Sequence, residues 1–123
     1  MNSVLLIDDS FTLRRSLRVS FEKEGFQVFE AGTGAEGFEF VKNFEGKLQF
    51  IIADQNMPEM SGMDMVEAIR KLEDQDKAKV IIVLVTSDIS IETRKRAIAS
   101  EVRAIVYKPI KPQALVKALI KAL

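Results

Sequence analysis

The chain has 123 residues, of which 47% are hydrophobic, and its 18 basic and 18 acidic side chains balance to a formal charge of zero. This length fits one domain, and the balanced charge gives no indication of direct nucleic-acid binding. The chain contains neither cysteine nor histidine, which excludes disulfides, thiolate chemistry and any catalysis or metal binding by histidine.

The N-terminal sequence shows no targeting signal, because no basic segment is followed there by a long apolar one. No apolar run approaches the length of about 20 residues that a membrane span needs. We therefore expect a cytoplasmic protein that does not insert into a membrane, and we take a monomer as the starting assumption.

Five short apolar runs alternate with longer amphipathic segments along the chain. The runs are VLLI, FQVFEA, FIIA, VIIVLV and AIVY, and each predicts a strand. VLLI and VIIVLV are continuously apolar, which is typical of strands covered on both faces.

Helix start and stop signals stand between these runs, as N-cap residues, a helix-terminating glycine and a proline suited to a first helical position. They fall at Ser10, Gly25, Thr33 with Glu36, Ser61 with Asp64, Ser90 and Pro112. Five strand–helix units predict an α/β fold with three layers, a doubly wound, five-stranded parallel sheet of the flavodoxin-like (βα)5 type over residues 1–123. The common strand order for such a sheet is 2-1-3-4-5.

Polar side chains close four of the five runs. Asp8 and Asp9 follow the first run, Asp54 the third, Thr86 the fourth and Lys108 the fifth. Ligands bind at the carboxyl ends of the strands in an open parallel sheet, so we expect these residues to share one pocket. Carboxylates suit Mg²⁺, with Mn²⁺ as a possible substitute, while a hydroxyl and an ammonium suit a phosphoryl group. Each of these residues alone also fits an ordinary turn or strand end. Their occurrence together favours a site for a divalent metal and a phosphoryl group.

The same residues resemble the receiver domain of two-component response regulators. The matching features occur in the family's order along the entire chain, and they are Asp8-Asp9, the segment DQNMPEMSG at 54–62, Thr86-Ser87 and Lys108-Pro109. The length of the chain is similar to that of the single-domain chemotaxis regulators in this family.

The resemblance implies a role for each matched residue in the pocket. Asp54 would accept a phosphoryl group from a phosphohistidine on a sensor histidine kinase or a histidine phosphotransferase. Asp8, Asp9, Asp54 and the backbone carbonyl of Asn56 would hold Mg²⁺. The protein would then be a phospho-acceptor that promotes its own phosphorylation and dephosphorylation, rather than a conventional enzyme.

The resemblance also assigns the residues around the acceptor. Lys108 and Thr86 would bind the phosphoryl oxygens, while Asn56, Ser87 and Asp88 would modulate hydrolysis of the acyl phosphate. We expect phosphorylation to pull Thr86 inward and so to change a surface elsewhere.

Two positions depart from the family pattern. Ile105 stands where the family often carries Tyr or Phe, three residues before Lys108, and Tyr107 lies too far along the strand to replace it. An aromatic switch is therefore in doubt, whereas phosphorylation is not. Glu101 takes the place of the usual glycine between the fourth helix and the fifth strand, so we expect that helix to end differently.

The C-terminal part of the chain is basic. Residues 1–61 hold 6 basic and 10 acidic side chains, whereas residues 89–123 hold 8 basic and 2 acidic ones. A solvated face explains this excess as well as a partner surface does. The resemblance implies an output protein on the surface of the fourth helix, fifth strand and fifth helix, and the basic excess there predicts that this partner is acidic. The candidate residues are Ile105, Tyr107, Arg94, Lys95, Arg96, Arg103, Lys117 and Lys121.

Three alternative functions remain open. The chain fits a phosphorelay intermediate, or a receiver fragment of a larger regulator, as well as a chemotaxis regulator. A Mg²⁺-dependent phosphatase with an aspartyl nucleophile belongs to a different class. It is disfavoured because Asn56 stands where such enzymes need a second acid, and because no segment is left to form a cap.

Overall fold

A computed structural model of the chain describes residues 2–88 and 90–122. The strands are β1 (Ser3–Ile7), β2 (Gln27–Ala31), β3 (Phe50–Asp54), β4 (Ile81–Thr86) and β5 (Ala104–Tyr107). The helices are α1 (Phe11–Lys23), α2 (Gly34–Asn43), α3 (Gly62–Arg70), α4 (Gln75–Ala78), α5 (Ile91–Ala99) and α6 (Pro112–Lys121). All strand pairs are parallel and the order is β2-β1-β3-β4-β5, which confirms the predicted fold class and strand order.

The prediction of five helices missed α4. This helix has four residues and is capped by Asp74, whose Oδ1 accepts hydrogen bonds from the backbone N–H groups of Asp76 and Lys77 at 3.0 and 3.3 Å. Four residues make barely more than one turn, so they leave no apolar periodicity in the sequence. The helices expected as fourth and fifth are therefore α5 and α6.

None of the helices in the described part of the chain combines the length and the apolar composition that a bilayer crossing requires.

The predicted N-cap residues all accept hydrogen bonds from the first turn of their helices. Ser10, Thr33, Ser61 and Ser90 accept from the backbone N–H three residues ahead at 3.1–3.3 Å. Ser61 and Asp64 form the predicted reciprocal capping box. The carboxylate of Glu36 differs, because it accepts from the N–H of Gly32 and not from that of Thr33.

Two apolar clusters cover the two faces of the sheet. Leu5 and Ile7 of β1 point into a cluster formed with α2, α3 and α5, while Val4 and Leu6 point into the cluster formed with α1 and α6. All five residues of β1 are buried. Alternation between two buried faces therefore explains the continuous apolar runs, and it fixes where each strand delivers its terminal polar residue.

Candidate functional site

The ends of β1 and β3 bring three carboxylates together. The two strands are paired with Ile7 opposite Ala53, so the residues that follow this pair are neighbours. One carboxylate oxygen from each of Asp8, Asp9 and Asp54 lies within 4.8 Å of the other two. Asp8 and Asp54 are 4% and 2% exposed, whereas Asp9 is exposed.

The backbone around Asp8 is held by its neighbours. The N–H of Ser10 donates to Oδ1 of Asp8 at 2.7 Å, and Nη1 of Arg14 donates to the backbone carbonyl of Asp8 at 2.5 Å. Arg14 is itself paired with Glu30 at 3.1 Å. Sequence reasoning missed Arg14, since a side chain that binds a backbone carbonyl leaves no motif. The contact from Arg14 fixes the backbone of Asp8, and Glu30 balances the charge of Arg14.

Lys108 and a backbone amide converge on Asp54. Nζ of Lys108 lies 3.2 Å from Oδ1 of Asp54, and the N–H of Asn56 donates to the same oxygen at 3.2 Å. The N–H of Lys108 also donates to the carbonyl of Thr86 at 2.9 Å, which continues the β4–β5 pairing to the pocket. The peptide bond between Lys108 and Pro109 is cis. The predicted ammonium thus faces the predicted acceptor.

The negative charge of Asp8, Asp9 and Asp54 exceeds the positive charge that Lys108 brings to them. Burial raises the pKa of Asp8, and the nearby negative charge of Asp54 adds to this effect. Three carboxylates against the single ammonium of Lys108 leave an excess of two negative charges. Buried charge without a partner is costly, and hard oxygen ligands suit a small divalent cation. The donor set therefore fits Mg²⁺.

Thr86 links the loops that follow β3 and β4. Its side chain is fully buried, and Oγ1 donates to Oδ1 of Asn56 at 3.1 Å while it accepts from the N–H of Asp88 at 2.8 Å. Asn56 is exposed and lies two residues after Asp54. Thr86 and Asn56, two of the residues predicted to act around a bound phosphoryl group, are thus hydrogen-bonded to each other in this structure.

Asp88 is engaged with the start of α5. Its carboxylate accepts from the N–H of Ser90 at 2.8 Å and from the hydroxyl of Thr93 at 2.7 Å. These donors, the Thr93 hydroxyl first, hold the pKa of Asp88 below its usual value. Ser87, the other predicted modulating residue of this loop, is exposed. Sequence reasoning placed Asp88 near the acceptor but did not foresee its bond to Thr93.

Gln55 and Gly62 pack the start of α3 closely against the end of β3, next to Asp54. Gln55 is 8% exposed, and its side-chain Oε1 accepts from the N–H of Met63 at 2.8 Å. A Cβ atom on Gly62 would lie 2.5 Å from the backbone carbonyl oxygen of Asp54, closer than real contacts allow. The match at Gly62 therefore reflects close packing of the start of α3 against the end of β3. The role of Gln55 was missed, because glutamine is usually exposed.

The surface predicted to bind an output protein has a mixed character. Ile105 packs partly buried against the cluster under α5, while Tyr107 is paired with Thr86 and is 41% exposed. The basic residues that are exposed there are Arg94, Lys95, Arg103, Lys117 and Lys121.

Arg96 does not belong to that free basic set. Its guanidinium binds Glu67 at 2.7 and 3.0 Å and Asp64 at 2.9 Å, and both acids lie on α3. The charge of Arg96 is therefore already paired within the chain, and its place in a partner surface stays a prediction. The preceding residues Arg94 and Lys95 are exposed, but Arg96 turns toward α3 and joins that helix to α5.

The expectation that α5 ends differently without the usual glycine is not confirmed, because Glu101 itself takes up the backbone conformation typical of a terminating glycine. Glu101 has φ 56, the left-handed conformation that glycine adopts most easily. Arg70 supports this turn, because its guanidinium donates to the carbonyls of Ser100 and Glu101 at 2.8 and 3.1 Å. It also donates to the carbonyls of Ala78 and Val80 at 2.9 and 2.7 Å. Arg70 thus anchors the C-terminal end of α5 far from the carboxylates.

Comparisons with known proteins agree with this geometry. Residues 4–120 match a family model described as the response regulator receiver domain. The chain is 31% identical to the chemotaxis protein CheY1 of Helicobacter pylori over 117 residues, which cover 94% of this chain and 92% of that protein. It is 28% identical to the transcriptional regulatory protein SrrA of Staphylococcus aureus, over 98% of this chain but 48% of the relative.

A solved structure shows the same arrangement of the backbone. The chemotaxis protein CheY4 of Vibrio cholerae aligns with a TM-score of 0.85 and 30% sequence identity, over 100% of this chain and 99% of that one.

Proposed function

The chain belongs to the response regulator receiver domain family, and on that premise we propose that it is a phosphorylation-activated signalling switch whose acceptor is Asp54. One observation carries the proposal. The buried carboxylate of Asp54 lies within 4.8 Å of oxygens from Asp8 and Asp9 and 3.2 Å from the ammonium of Lys108. This combination suits transfer of a phosphoryl group to a carboxylate.

The phosphoryl donor is a phosphohistidine, and it belongs to a partner because this chain contains no histidine. A sensor histidine kinase or a histidine phosphotransferase supplies it. Oδ1 of Asp54 already accepts from Lys108 and from the N–H of Asn56, so the other oxygen is the one available to attack. That oxygen bonds to phosphorus as the phosphorus–nitrogen bond of the donor breaks and the imidazole leaves.

Asp8, Asp9 and Asp54 are the side chains that would hold Mg²⁺, with the carbonyl of Asn56 as a further ligand. The ion would neutralise charge between the acceptor and the incoming phosphoryl oxygens, and Mn²⁺ offers the same chemistry. The chain contributes the fixed ligand positions. Ser10 and Arg14 hold Asp8 in place through its carboxylate and its backbone carbonyl.

Lys108 and Thr86 bind the oxygens of the transferred group. Lys108 needs only a small movement, since its ammonium already lies 3.2 Å from Oδ1 of Asp54. Thr86 must turn its hydroxyl away from Asn56, its present acceptor at 3.1 Å. Phosphorylation therefore alters the hydrogen bonding at the end of β4, while Asn56, Ser87 and Asp88 influence how readily water reaches the acyl phosphate.

The output protein binds the face formed by α5, β5 and α6. Ile91, Ile98 and Tyr107 are 68%, 75% and 41% exposed there. Exposed apolar groups beside basic ones fit a partner segment with an apolar centre and acidic flanks. The basic contacts are Arg94, Lys95, Lys117 and Lys121.

Similarity to CheY1 favours chemotaxis as the pathway, with the protein acting in the cytoplasm as a monomer without direct contact to nucleic acid.

Intact mass spectrometry tests the acceptor. After incubation with acetyl phosphate and Mg²⁺ we expect the mass of the wild type to rise by one phosphoryl group. Asp54→Asn should gain none, and removal of the metal with EDTA should prevent the gain in the wild type. An Asp54→Asn protein that is phosphorylated as readily as the wild type would refute the assignment.

Charge reversal tests the output surface. We expect a pull-down to recover the partner in the presence of beryllofluoride, and Arg94→Glu and Lys117→Glu to weaken that capture. Lys47→Glu is a matched control, because Lys47 is also exposed but lies outside this surface. Equal capture by all variants would show that the basic residues do not contact the partner.

A further inference from the structure

A chain of hydrogen bonds runs from Thr86 into the buried side of α5. The N–H of Asp88 donates to Oγ1 of Thr86 at 2.8 Å, and the carboxylate of Asp88 accepts from the hydroxyl of Thr93 at 2.7 Å. Thr93 is 6% exposed and lies in the first turn of α5. The residue predicted to bind the phosphoryl group is thus two hydrogen bonds away from the helix of the output surface.

The rest of α5 is fastened to other parts of the fold. Arg96, near its middle, binds the α3 carboxylates of Asp64 and Glu67. At its end, Arg70 holds the carbonyls of Ser100 and Glu101. A displacement that enters at the first turn therefore moves that turn relative to an anchored C-terminal end.

We infer that Thr93 is a positioning residue that transmits the movement of Thr86 to α5 through Asp88. The inference rests on the proposed function, since it requires a phosphoryl group on Asp54. When the Thr86 hydroxyl turns from Asn56 toward that group, the N–H of Asp88 follows Oγ1 to keep its bond. The carboxylate of Asp88 then draws the Thr93 hydroxyl, and the first turn of α5 shifts with it.

This route does not need an aromatic side chain in β5. Ile105 occupies the position where an aromatic residue would report on Thr86, and it packs into the apolar cluster. The bonds through Asp88 use only groups that are already in contact. They give this chain a connection between its acceptor and its output surface despite that departure.

Removal of the Thr93 hydroxyl tests the inference. Thr93→Val keeps the branched shape and removes the donor, and Thr93→Ser restores a hydroxyl. The matched control is Thr12→Val, which changes an exposed threonine in the first turn of α1. The measurement is the shift of backbone amide resonances when beryllofluoride and Mg²⁺ are added to each intact protein, together with its mass after treatment with acetyl phosphate.

We expect Thr93→Val to accept a phosphoryl group as the wild type does and to show beryllofluoride shifts at Gln55 and Asn56. Its shifts across α5 should shrink, because loss of one link in such a network weakens coupling roughly 2- to 30-fold. Thr93→Ser and Thr12→Val should show the full α5 response. A purely structural role of Thr93 would alter the resting spectrum and leave the response to beryllofluoride intact.

The outcomes separate the two proposals. A wild type that gains no phosphoryl group overturns the proposed function. A wild type that gains one, with a complete α5 response in Thr93→Val, overturns only the coupling through Thr93. Should Thr93→Val fail to fold, Asp88→Ala removes the same bond from its other end, and an undiminished α5 response there also overturns the coupling.

Discussion

Replacement of Asp8 by asparagine removes one negative charge from the acidic cluster and keeps the shape of the side chain. Asparagine retains an Oδ1 atom that can accept from the N–H of Ser10, as Asp8 does at 2.7 Å. The substitution therefore isolates the effect of charge. Because the cluster has three carboxylates near one ammonium, we expect Asp8→Asn to stabilise the metal-free protein and to lose the stabilisation that Mg²⁺ provides.

The separation between the carboxylates sets the magnitude. The oxygens lie at most 4.8 Å apart, so two like charges repel by at least about 0.9 kcal/mol in water and by at least about 3.5 kcal/mol at an effective dielectric constant of about 20. Asp8 is 4% exposed but Asp9 is exposed, so the effective dielectric constant lies between these two values. Attraction to Lys108 offsets part of the repulsion. We expect the free energy of unfolding to rise by about 1–2 kcal/mol without metal.

The effect should depend on pH in a defined direction. Burial raises the pKa of Asp8 in the folded protein, so the folded state binds a proton more tightly than the unfolded state does. The wild type therefore loses stability as the pH rises from the usual carboxyl range through the raised pKa. The advantage of Asp8→Asn should grow over that interval and stay constant above it.

Urea unfolding followed by circular dichroism measures both effects. In EDTA, Asp8→Asn should unfold at a higher urea concentration than the wild type, with an unchanged slope. Free Mg²⁺ at about 100 times its Kd should stabilise the wild type by about 2.7 kcal/mol and the variant by much less. Asp9→Asn is the control, since loss of an exposed charge should raise the metal-free stability less. A variant no more stable than the wild type in EDTA would refute the repulsion argument.

Three further substitutions test the packing around the site and the end of α5 by urea unfolding. Gly62→Ala should destabilise the protein by about 1–3 kcal/mol, because its Cβ would meet the carbonyl of Asp54 at 2.5 Å; an unchanged midpoint would contradict this contact. Glu101→Gly should stabilise by roughly 0.5–1 kcal/mol, since relief of the left-handed strain at φ 56 exceeds the entropy that glycine adds to the unfolded chain. A loss of stability would show that the turn is not strained. Arg70→Lys should cost about 2 kcal/mol or more, because an ammonium cannot reproduce four hydrogen bonds from a planar guanidinium. A neutral result would mean that these carbonyls are equally well satisfied by water.

Much of the fold followed from the sequence because its local signals agree. The continuously apolar β1 and β4 runs require cover on both faces, and that requirement alone implies helices on each side of a parallel sheet. Ser61 and Asp64 then mark the start of α3. The polar residues at the strand ends converge as predicted because the register of a parallel sheet brings those ends to one edge.

The remaining features could not be predicted, since they depend on contacts with the backbone of distant segments. Arg70 binds carbonyls 8 to 31 residues away, and no sequence motif specifies such acceptors. Gln55 is buried because the start of α3 folds back over it. In the sequence Arg96 cannot be told from the other basic residues of α5. Its pairing with Asp64 and Glu67 depends on how α3 packs beside α5. The helix α4 was missed because its four residues are too few to show the helical periodicity of apolar residues.

The close packing at Gly62 makes the two sides of the pocket mechanically unequal. On the β3 side there is no space for an added methyl group, whereas on the β4 side the contacts are hydrogen bonds that can change partners. Under the proposed function, Asp54 would therefore stay in place while Thr86 and its hydrogen-bond partners change position. Substitutions on the exposed face of α5 would then alter which target binds and leave the close packing around Asp54 unchanged.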